Sequence, residues 1–113
     1  MTTHVLEMTN GSVCRGMTVQ VADGRWPGEI GSGVLMSDEA FDFVEPFIAA
    51  ACADWTSEHR YGNFELSLPD RKRLVTKLLL AADSHSQSKL LADLARWLEP
   101  RSADNRPVSI LGY

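Results

Sequence analysis

Five apolar residues near the C-terminal end, Leu90, Leu91, Leu94, Trp97 and Leu98, recur at intervals of three and four, while Lys89, Asp93 and Arg96 occupy the opposite side. That period fits an α-helix and no other regular structure, and it gives the helix one apolar face. A single such face is unstable in water, so the rest of the chain has to cover it. Pro100 sets the limit of the helix.

Two more helices carry matching stripes. From Ser37, a residue suited to N-capping, Phe41, Val44, Ile48, Ala51, Cys52 and Trp55 recur on one face. Pro46 lies inside this run and predicts a kink or a restart near residue 45. Pro69 and Asp70 suit the first turn of another helix, whose buried stripe is Leu74, Val75, Leu78, Leu79 and Ala82. Between it and the last helix, residues 83–88 read as a polar linker.

The first third of the chain has a different period. Residues 4–8 lead into Asn10-Gly11, the dipeptide most typical of a tight hairpin, and residues 17–21 then alternate, with Met17, Val19 and Val21 on one side. Residues 22–33 are rich in turn formers, and residues 34–36 end a third strand. Residues 64–68 alternate as well, and residues 108–113 return as a last strand after a loop. The expected fold is α+β: a single domain, residues 1–113, with a small antiparallel sheet packed against three helices. The predicted core holds Val19, Val21, Phe41, Val44, Ile48, Trp55, Leu74, Leu78, Leu91, Leu94, Trp97 and Leu98.

Composition narrows the function. With 44% hydrophobic and 23% charged residues the chain has ordinary globular composition, and no apolar run is long enough to cross a bilayer. The first thirty residues lack the basic start and apolar stretch of a signal peptide, so the cytoplasm is the expected compartment, with Cys14 and Cys52 as reduced thiols. A net charge of −4 argues against nucleic acid as the partner, because phosphates require a positive field. It is compatible with a basic protein partner.

No catalytic or metal motif emerges. The glycines at 24, 28, 31 and 33 precede a strand rather than open a helix, and no Gly-Lys-Ser/Thr follows, so they read as turn and bulge residues. His4, His59 and His85 are isolated, and neither cysteine has a second cysteine nearby. No cofactor and no metal is expected. A catalytic site would have to be assembled from scattered residues such as Cys52, Glu58 and His59. The basic run 70–73 opposes the helix macrodipole, a conflict that either marks a site for an anion or an acidic partner or, as expected here, is offset by Asp70, nearby carboxylates and solvent.

The densest chemical signal is residues 37–46, SDEAFDFVEP. Winding them into a helix puts Asp38, Asp42 and Glu45 on one strip beside Phe41, Val44 and Ile48, with Glu39 further round. Acid/base catalysis would need two carboxylates in different environments, which a solvated helix start does not provide. Two readings stand: an ordinary helix start, or an acidic docking strip.

The order of elements resembles that of small bacterial toxin-immunity proteins, of the kind paired with contact-dependent growth-inhibition toxins. The resemblance rests on GRWPGEI (24–30), VLMSDEAFDFVEPFI (34–48), Trp55, YGNFELSL (61–68) and the leucine-rich helix. It implies a cytoplasmic, non-catalytic inhibitor that binds and blocks a toxin, often a nuclease with a basic active site. On that reading Asp38, Glu39, Asp42 and Glu45 form the acidic surface, and Trp26 and Tyr61 are candidate aromatic anchors. The alternatives are a small enzyme, or a structural or regulatory subunit that self-associates through Trp26, Trp55 or Trp97.

Overall fold

In the computed structural model, residues 6–10, 18–24, 30–83, 87–103 and 107–112 are described. Cys14, Trp26, Gly28, His4 and His85, all weighed above, lie outside them. The elements are β1 (Glu7–Asn10), β2 (Thr18–Gly24), β3 (Ile30–Ser37), α1 (Asp38–Ala51), a 3-10 helix Ser57–Tyr61, β4 (Asn63–Leu66), α2 (Leu68–Ala82), α3 (Ser88–Leu98), a 3-10 helix Pro100–Ala103 and β5 (Val108–Leu111). The five strands form one antiparallel sheet, in the order β1-β3-β2-β5-β4, packed against the three helices.

This order corrects the expected hairpin at Asn10-Gly11. β1 and β2 do not pair; β3 lies between them and pairs with both. β2 pairs instead with β3, the next strand in the chain, and Gly24, at φ 106°, takes the left-handed conformation at the end of β2. A dipeptide that tolerates positive φ permits a hairpin, but the pairing is decided by which strand best completes the apolar face.

That face is read directly from the register. Met8, Val34, Val21, Ile110 and Phe64 stand opposite one another across the five strands. All but Met8 are buried beneath the helices. The opposite face holds Gln20 and Ser109, both buried; Gln20 Nε2 donates to Thr9 Oγ1 at 3.0 Å. The helices contribute Phe41, Val44, Ile48, Leu74, Leu78, Leu91, Leu94 and Leu98 to the same core, which holds all twelve predicted residues.

Local signals explain the helix starts. Ser37 Oγ accepts from the Ala40 N–H at 3.1 Å, and Ser67 Oγ accepts from the Asp70 N–H at 3.2 Å. α1 continues through Pro46 rather than restarting there. The proline removes a bond to the carbonyl of Asp42, and both residues lie on the exposed side, where water replaces the lost donor. Leu79, expected in the buried stripe of α2, is 42% exposed.

The basic run is also reassigned. Arg71 is buried, and Arg73 turns back to donate to Asp70 and, at 2.9 Å, to the Ala51 carbonyl at the end of α1. A cation there meets the negative end of the α1 dipole, which removes much of the expected conflict. At the far end of the sheet, Arg101 stacks 3.9 Å over the Trp97 ring and donates to Asp23 (2.8 Å), Ser32 (3.2 Å) and the Trp97 carbonyl (2.7 Å).

Candidate functional site

The strip predicted at the start of α1 exists, and one guanidinium binds all of it. Arg60 donates to Asp38 Oδ1 from Nε at 2.9 Å and from Nη2 at 2.5 Å, and to the Asp38 carbonyl at 2.7 Å. It also meets Asp42 at 2.7 Å and Glu45 at 3.0 Å. One group could reach all three only if residues 38, 42 and 45 lie along one side of the helix, as their spacing predicts.

The chain holds Arg60 in place from several directions. Its guanidinium lies 5.1 Å from the centre of the Phe41 ring. Trp55 packs on Phe41 at 5.9 Å and edge-on to Phe64 at 5.3 Å, and its indole N–H donates to the second oxygen of Glu45 at 3.2 Å. His59 sits between Trp55 and Phe64, with Nδ1 accepting from the Thr56 N–H at 3.1 Å. The backbone of the 3-10 helix rests on the end of β5. The Gly112 N–H donates to the Gly62 carbonyl at 2.7 Å, and a Cβ at position 112 would fall 1.8 Å from the Arg60 carbonyl oxygen. Only glycine fits that approach.

The environment divides the predicted acids into two pairs. Side-chain exposure is 26% for Asp38 and 21% for Glu45, and both are engaged by Arg60; Asp42 is 61% exposed and Glu39 is also exposed. The expectation of a fully solvated strip therefore fails for Asp38 and Glu45, because a side chain 22 and 15 residues further along the chain covers them. Burial works against the charge on Arg60, but its hydrogen bonds to Asp42 and Asp38 outweigh that, so the guanidinium is held more firmly protonated than usual. Three carboxylates against one guanidinium leave the cluster negative by two formal charges. Tyr61, next to Arg60 in the chain, is 65% exposed and lies at the same end of the molecule.

Sequence reasoning did not single out Arg60. The only available signal was three carboxylates lacking a local counter-charge, and a lone arginine in SEHRY carries nothing that points to them.

The residues considered for catalysis have other partners. Cys52 is buried, and its thiol is pushed up to about 12 by burial first, then by the Asp70 carboxylate, with Arg73 opposing. Such a thiol is a poor nucleophile at neutral pH. His59 belongs to the aromatic stack, and Glu58 is exposed. Among the described residues, no group of three or more His, Cys, Asp or Glu side chains could hold a metal ion, and no helix is long and apolar enough to cross a membrane. Trp55 and Trp97 are each 8% exposed, which removes them as a self-association surface.

A scan against protein-family models matches none, and comparisons with curated proteins and with solved structures return no match.

Proposed function

We propose that this chain is a non-catalytic binding protein. On this reading the exposed acids of α1, Glu39 and Asp42, dock with Tyr61 on a basic partner protein, as an immunity protein docks on its toxin. The supporting observation is the Arg60 cluster: it fixes a surplus of negative charge on a rigid helix and ties that helix to the segment carrying Tyr61. A preorganised surface of this kind loses little entropy on association. Its charge speeds encounter with a basic partner, while an aromatic side chain supplies contact area.

The experiment is co-purification with the product of the adjacent gene, followed by titration of Glu39→Lys. Glu39 is exposed and lies outside the Arg60 cluster, so the variant should melt like wild type and bind about tenfold more weakly. If wild type and partner do not associate at micromolar concentration, this assignment is abandoned. Asp38, Asp42 and Glu45 do not serve for this test, because replacing any of them disrupts the cluster itself.

A further inference from the structure

We draw no further inference here: the strongest candidate, the outer face of α2 on which Leu79 and Leu80 are exposed alongside Lys72 and Lys77, carries none because nothing in the structure shows what covers it.

Discussion

Arg60 grips Asp38 twice over, taking its carboxylate at 2.5 Å and its main-chain carbonyl at 2.7 Å with the same terminal nitrogen. The bond joins the first residue of α1 to the 3-10 helix Ser57–Tyr61. Removing the guanidinium leaves Asp38, Asp42 and Glu45 facing one another without a cation. Arg60→Met should lower stability by about 2–3 kcal/mol, less than for a fully buried pair because Asp42 is mostly solvated. Arg60→Lys should recover under half of that, since a single ammonium cannot reproduce the fork. Urea unfolding of the three proteins measures both.

Gly112→Ala is expected to be more damaging than an exposed-surface change. The added methyl would collide with the Arg60 carbonyl, so the 3-10 helix must move, at a cost of about 2–3 kcal/mol. Gly62→Ala, where a Cβ meets nothing within 4 Å, serves as the contrast and should stay within about 1 kcal/mol of wild type. Comparable melting of the two variants would contradict this packing.

The Cys52 thiol titrates at about 12 in the folded chain against about 8.5 in an unfolded one. Between those values the folded state holds a proton that the unfolded state has lost, so this contribution to stability is intact below about pH 8.5 and drains away as pH rises toward 12. Cys52→Ala should flatten the alkaline limb of the stability curve. In a Cys14→Ser background, a thiol reagent at pH 8 should label only denatured protein.

Arg101 stacks on Trp97 while binding Asp23 and Ser32, which ties the second 3-10 helix to the ends of β2 and β3. Arg101→Ala should cost about 1–3 kcal/mol, and hydrogen exchange should accelerate first at Gly24 and Ile30. An unchanged exchange pattern at these two amides would show that the tie is dispensable.

Much of the fold was legible because its signals are local. Ser37 caps the helix it precedes, and the stripes Phe41-Val44-Ile48 and Leu91-Leu94-Leu98 are buried as their period requires. The misreadings share a different character. Asn10-Gly11 has hairpin chemistry, but β3 takes the place between β1 and β2 because it completes the apolar row. Arg71 looks like a surface cation among cations and is buried by packing that no neighbour in sequence reveals. For the acidic strip, the sequence contained the spacing and lacked the counter-ion. Arg60 arrives from a separate element and binds three of the four acids, so the charge-reversal experiment belongs at Glu39, not at Asp38 or Asp42.

The position of β5 has a consequence for how the molecule is made. It lies between β2 and β4, so β4 has no sheet neighbour until residues 108–111 have been synthesised. Until then the nascent chain carries a three-stranded piece and a separate strand with three helices, each with exposed apolar side chains. A chain stopped at residue 107 would lose the strand that joins β4 to the rest of the sheet, leaving β2 as an open edge and β4 without a neighbour. Pairing of β5 with β2 is a long-range and comparatively slow step.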